Sequence, residues 1–137
     1  MIIRITSGLV EDLHTLAAAG LPEEVCGLLL GHDDMIDRSV PARNIAPDPR
    51  RRFEIDPATL LATHRTAREQ GLRVIGHYHS HPDGRAEPSA RDAARAVDNG
   101  QLWLIITQAS LTGWMPVPAG TPGAVHGRFS SVHLEVQ

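Results

Sequence analysis

His79, His81, Ser89 and Asp92 stand in one short stretch, His79-Ser-His-Pro-Asp-Gly-Arg-Ala-Glu-Pro-Ser-Ala-Arg-Asp92, and their types suit the capture of a divalent metal. Alternate residues of a strand share a face, so His79 and His81 can point the same way. The turn-forming residues that follow them let Asp92 fold back from the next helix. Two imidazole nitrogens and one carboxylate oxygen around zinc leave a coordination position open for water. That is the pattern of a catalytic rather than a structural zinc site.

Each half of the pattern is weak alone. Ser89-Ala-Arg-Asp92 also reads as a helix capping box with Asp in place of Glu. A lone His-x-His can occur in any exposed strand. The combination His79-x-His81-x7-Ser89-x2-Asp92 is far more restrictive, because four chemically suitable positions then coincide. His77 has the same strand parity, and a 77/79 pair also fits sterically; only the distance to Ser89 and Asp92 favours 79/81. His77 then reads as a core histidine or as an outer partner of a ligand. Cys26 lies inside an apolar run, where a free cysteine behaves as a small buried hydrophobe. His14, His32, His64, His126 and His133 have no companion ligands at a meaningful spacing and read as surface or loop residues.

The elements that must position these groups follow from periodicity. Ile2 to Ile5 reads as a strand, and Ser7 as the cap of a helix with Leu9, Leu13 and Leu16 at helical spacing, ended by Gly20-Leu21-Pro22. Val25 to Leu30 is apolar on both faces, as a central strand is, and Gly31 to Asp34 turns into a strand over Met35 to Val40. Pro41 to Arg52 should be irregular, then a brief Phe53-Glu-Ile55 strand, then a helix from Pro57 to Gln70. Val74 to His79 is an extended run carrying the motif, and the helix after Ser89 should reach Asn99-Gly100. Trp103 to Thr107, Trp114 to Val117 and Phe129 to Val136 complete the strands, with Pro116 to Gly127 a loop. The expected fold class is α/β, a mixed sheet flanked by helices, in one domain over residues 1–137.

Composition narrows the chemistry. One cysteine excludes an internal disulfide framework and a Cys-rich zinc ribbon, so any metal relies on His and carboxylate ligands. A zinc nucleobase deaminase, which needs a Cys-x-x-Cys pair, is excluded for the same reason. With 13 basic against 16 acidic residues and a net charge of −3, nothing points to a nucleic-acid or membrane-surface partner. All the basic residues are arginines, and the run Arg50-Arg51-Arg52 reads as a solvated loop. The apolar start Met-Ile-Ile-Arg-Ile-Thr is too short for a signal peptide, and no apolar run of roughly 20 residues exists to span a membrane. A cytoplasmic location is expected.

The site motif, together with Glu24 in Pro22-Glu-Glu-Val-Cys-Gly-Leu, resembles the JAMM or MPN+ family of zinc-dependent proteases and isopeptidases, in particular its compact stand-alone bacterial members. The resemblance runs from the helix before Glu24 to the strand at Trp103. It implies a curved, mixed sheet flanked by helices, related to that of the cytidine deaminases. It also implies one zinc ion ligated by His79, His81 and Asp92, with Glu24 as general acid/base and Ser89 stabilising the tetrahedral intermediate. Glu23 competes for the base role, but the family pattern puts the acid immediately before the x-Cys-Gly step, which is Glu24. The family often carries an aromatic residue where this chain has His77. The implied activity is hydrolysis of a peptide or isopeptide bond after the Gly-Gly-type tail of a ubiquitin-like sulfur-carrier protein, the tail adding to an exposed strand edge beside the metal. The alternative is a non-catalytic MPN-type interaction module, against which the complete ligand set argues.

Overall fold

The computed structural model describes residues 1–137. Its elements run β1 (Ile2–Ile5), α1 (Ser7–Gly20), β2 (Cys26–His32), β3 (Met35–Ala42), α2 (Pro57–Glu69), β4 (Arg73–Ser80), α3 (Ala90–Arg95), β5 (Leu102–Ile106), β6 (Leu111–Pro116) and β7 (Phe129–Val136). The fold is α/β, as the element pattern predicts. The sheet order is β1-β3-β2-β4-β5-β6-β7, and β7 pairs back onto β1 in parallel, so the curved sheet closes on itself.

Local chemistry sets the helix ends. Thr6, not Ser7, caps α1: its Oγ1 accepts the Leu9 amide at 3.2 Å. Asp56 caps α2, with Pro57 in the first turn, where its missing N–H costs nothing. Ser89 caps α3 in a reciprocal box with Asp92. That helix stops at Arg95 rather than Asn99, because Ala96 turns to an extended conformation and buries its methyl beside Phe53 and Trp103. The expected strand at Phe53–Ile55 is reduced to a single bridge between Asn44 and Ile55. The Asn44 side chain takes over as partner there, its Oδ1 accepting the amides of Ala46 and Glu54 at 3.0 and 3.1 Å.

The motif strand β4 lies between antiparallel β2 and parallel β5, with His79 opposite Cys26 on one side and Ile105 on the other. At and just past its end, the Ser80 amide donates to the Val25 carbonyl and the His81 amide to that of Ile106. β4 itself therefore has no free edge at His79, whereas β3 pairs with β1 only at Met35 and Ile36 and leaves its outer edge unpaired toward Ala42. Gly76 permits the close approach of β4 to β5, since a Cβ at that position would sit 2.1 Å from the Leu102 carbonyl oxygen.

A register shift opposite Ile75 sorts the side chains of β4 between two cores. On one face, Ile75 and Tyr78 join Leu9, Leu13 and Ala17 of α1 around Leu104 and Ile106. On the other, Phe53, Trp103, Trp114 and Phe129 pack beneath Ala93 and Ala96 at α3, while Leu28, Leu30 and Val74 pack against Ala67 of α2. His77 and His79 belong to this second face, their rings 6.0 Å apart.

Candidate metal centre

The end of β4, the loop after it and the start of α3 bring three donor atoms to one point. His79 Nε2 and His81 Nε2 are 3.0 Å apart, and Asp92 Oδ2 lies 3.2 Å from the first and 3.1 Å from the second. All three residues are buried. His81 Nδ1 faces the Arg85 carbonyl at 2.7 Å. A carbonyl can only accept, so Nδ1 carries the proton and the Nε2 lone pair points at the cluster. Asp92 Oδ2 also accepts the Ser89 amide at 2.9 Å. Its pKa is lowered: burial opposes ionisation, but the two imidazoles and the Ser89 amide outweigh it. Burial likewise pulls His81 down, and Asp92, the Arg85 carbonyl and Glu24 together reverse the sign, leaving it raised. His79, wholly enclosed, is lowered by burial.

Converging donor atoms of this kind could hold a metal ion. Ligand atoms around a tetrahedral zinc with bonds of about 2.0–2.1 Å lie roughly 3.3 Å from one another. The three separations of 3.0–3.2 Å therefore fit such an ion with small adjustment. Two nitrogens and one oxygen also suit zinc better than magnesium or calcium, which prefer all-oxygen sets.

Glu24 supplies a second carboxylate, able to bring an oxygen within 4.8 Å of ligand atoms of both histidines. It is 7 % exposed, its Oε1 has no hydrogen-bond partner, and burial pushes its pKa up to about 7, with the nearby Asp92 charge adding to the shift and His81 opposing it. Its main chain is fixed at both ends: the amide donates to Pro49 O at 2.8 Å, and the carbonyl accepts Asn44 Nδ2 at 2.9 Å. Neighbouring Glu23 is exposed. Ser89 Oγ accepts the Asp92 amide at 3.0 Å, which uses a lone pair and leaves the hydroxyl hydrogen free to donate. Capping and donation are thus compatible at Ser89.

A cleft of about 930 Å³ opens over this cluster, with Glu24, His81 and Ser89 in its wall and Arg50, Arg51, Arg85 and Arg91 around them. A smaller hollow of about 430 Å³ shares His81 and Pro82 and is walled by Ala17, Ala18, Leu21 and Ile106.

The remaining candidates separate cleanly. His77 stays outside the cluster, its Nε2 buried without a partner and its pKa pulled to about 3 by burial and by His79. Cys26 is 2 % exposed, and burial, followed by Glu24, pushes its thiol up to about 12, which suits packing and not nucleophilic attack. Three residues of the site escaped sequence reasoning. His126 reaches the cleft from the loop before β7 and meets the Pro88 carbonyl at 3.0 Å, steadying the residue before the Ser89 cap. Asn44 ties Glu24 to the loop over residues 45–54, and Phe53 stacks on His79 at 4.2 Å with an interplanar angle of 20°. No spacing rule connects them to the motif; a Pro-rich segment holding one Asn and one buried aromatic residue was the sole trace.

The family described as prokaryotic homologs of the JAB domain matches residues 6–117. A desampylase of Haloferax volcanii is 37% identical over 91 residues, which are 65% of this chain and 66% of that protein. A probable TtuB-protein conjugate cleaving protease of Thermus thermophilus is 32% identical over 96 residues, 70% of this chain and 64% of that protein. The aligned stretches thus span just under two thirds of these relatives' own length. Among solved structures, a JAB1/MPN domain protein of Archaeoglobus fulgidus superposes with a TM-score of 0.62, covering 98% of this chain and 96% of that one, at 21% identity, a likeness of fold alone. On the extent of the family match and the identity to these relatives, the chain belongs to the prokaryotic JAB-domain family.

Proposed function

We propose that this chain is a zinc-dependent peptidase or isopeptidase that hydrolyses the bond following the C-terminal Gly-Gly-type tail of a ubiquitin-like sulfur-carrier protein. The observation that carries this is the convergence of His79 Nε2, His81 Nε2 and Asp92 Oδ2 on one point, with an unpartnered Glu24 carboxylate across from them. In this reading His79, His81 and Asp92 hold one zinc ion. Asp92 is preferred to Glu24 as third ligand because its oxygen is within 3.2 Å of both nitrogens. When bound, zinc lowers the pKa of a water to near neutrality and polarises a carbonyl.

The protein's own groups do the rest. Glu24, whose carboxyl burial raises to about 7 in the metal-free chain, takes a proton from the attacking water and returns it to the leaving amine. Ser89 donates its free hydroxyl hydrogen to the developing oxyanion. The extended tail lies in the cleft walled by Glu24, His81 and Ser89. The relative named for cleaving TtuB-protein conjugates supports a small ubiquitin-like partner. Residues 1–137 act as a single peptidase domain in the cytoplasm; no helix is long and apolar enough to cross a membrane.

The test is cleavage of a carrier fused through a Gly-Gly tail to a reporter. The native chain should cut after the tail, Glu24→Gln should bind zinc without cutting, and a chelated sample should be inert until zinc is restored. Cleavage that continues unchanged in the chelated sample would remove the metal from the mechanism.

A further inference from the structure

His79 and His81 are held in different ways. Metal-binding histidines generally donate the second ring N–H to a fixed acceptor, which sets both tautomer and ring orientation. His81 does so, through Nδ1 to the Arg85 carbonyl at 2.7 Å. His79 does not: its Nδ1 is buried and has no hydrogen-bond partner. Something else must fix that ring. Phe53 lies on it with centroids 4.2 Å apart and planes 20° from parallel, and Trp103 meets it edge-to-face at 5.8 Å.

Phe53 is itself clamped from two directions. Arg95, one turn beyond Asp92 on α3, places its guanidinium carbon 5.1 Å from the Phe53 ring centre and donates Nη1 to the Phe53 carbonyl. Its chain neighbours are tied to Asn44, which donates Nδ2 to Arg52 O at 3.1 Å and accepts the Glu54 amide at 3.1 Å through Oδ1. The same Nδ2 group also donates to the Glu24 carbonyl at 2.9 Å. The loop therefore connects the main chain of Glu24 to the ring face of His79.

We propose that Phe53, clamped by Arg95 and Asn44, is the positioning residue for His79, replacing by ring stacking the hydrogen bond that orients His81. This rests on the metal-centre reading above. Loss of a group that orients a ligand costs about 10–100-fold in metal affinity. That loss should appear in binding itself and not only in turnover.

The test measures zinc affinity by chelator competition and the visible spectrum of the cobalt-loaded protein for the native chain, Phe53→Leu, Arg95→Met and Phe129→Leu. Phe129 belongs to the same apolar cluster and touches Trp103 instead of His79, so its variant controls for general loosening. The expected result is native binding of one zinc per chain, about 10–100-fold weaker binding with an altered cobalt spectrum in Phe53→Leu, and native behaviour in Phe129→Leu. Arg95→Met, an exposed change, should weaken binding in the same direction by less, and it decides the matter if Phe53→Leu does not fold. Native affinity and spectrum in Phe53→Leu, or equal losses in Phe53→Leu and Phe129→Leu, overturn the positioning role and leave the metal centre standing. Failure of the native chain to bind zinc or cobalt overturns both.

Discussion

The two faces of β4 are built to opposite standards. Toward α1, Tyr78 is 1 % exposed and packs with Leu13, Leu104 and Ile106 in a largely apolar cluster. Toward α3, His77 Nε2, His79 Nδ1 and Glu24 Oε1 are buried without partners; these are three of the four such side-chain atoms in the protein. A buried polar group left unpaired costs about 1–3 kcal/mol. The concentration of such groups on one side of one strand marks the place where folding stability is given up for chemistry. One face of β4 packs around α1, and the other packs as well but carries the unpartnered polar atoms.

Breaking each face should therefore do different things. Glu24→Gln should lower turnover by about 10²–10⁴, the usual contribution of a general acid–base group, in steady-state kinetics. Its thermal unfolding temperature should not fall, because burial has already raised the pKa of the native carboxyl to about 7 and the amide removes a charge that is costly to bury above that pH. The native enzyme should lose activity as pH falls through the Glu24 titration, since the base must be ionised; a bound cation moves that limb below 7. Leu104→Ala, on the α1 face, should cost about 2–5 kcal/mol in denaturant unfolding while turnover per folded molecule is preserved. Should Leu104→Ala stop catalysis in a fully folded protein, the separation of the faces is wrong.

Zinc itself sharpens the contrast. A ligand that binds only the native state at 100 times its Kd adds about 2.7 kcal/mol. Thermal melts with and without zinc should show that gain in the native chain and lose it in Asp92→Asn. A pH-dependent effect falls on His77. Its pKa is pulled from 6.5 to about 3, so as pH drops below 6.5 the unfolded chain takes up a proton that the folded chain refuses. Stability should fall by about 1.4 kcal/mol per pH unit on this account, and His77→Phe should show a shallower acid slope in urea titrations. An unchanged slope would mean that His77 is already paired in solution.

The chemistry was more legible in the sequence than its scaffolding. Parity along β4 and a capping box both follow from short-range rules, so His79, His81, Ser89 and Asp92 could be assembled by spacing. What favours His79 and His81 over His77 is also local: the loop Pro82–Pro88 and the Ser89 cap bring Asp92 to the end of the strand, within 3.2 Å of both. Closure of the sheet was hidden because the β1–β7 pairing joins residues at the two ends of the chain. In the sequence Phe53 reads as a strand residue, since its neighbours look extended. What places it is the Asn44 side chain and a guanidinium 42 residues away, and neither leaves a periodic signal.

The most direct measurement is the zinc content of the purified chain at saturation beside that of a His79→Ala/His81→Ala double variant. One ion per native chain and none in the double variant is the result expected if the unpaired face of β4 is a metal centre. A native chain that takes up no zinc, or a double variant that still holds it, would contradict that assignment.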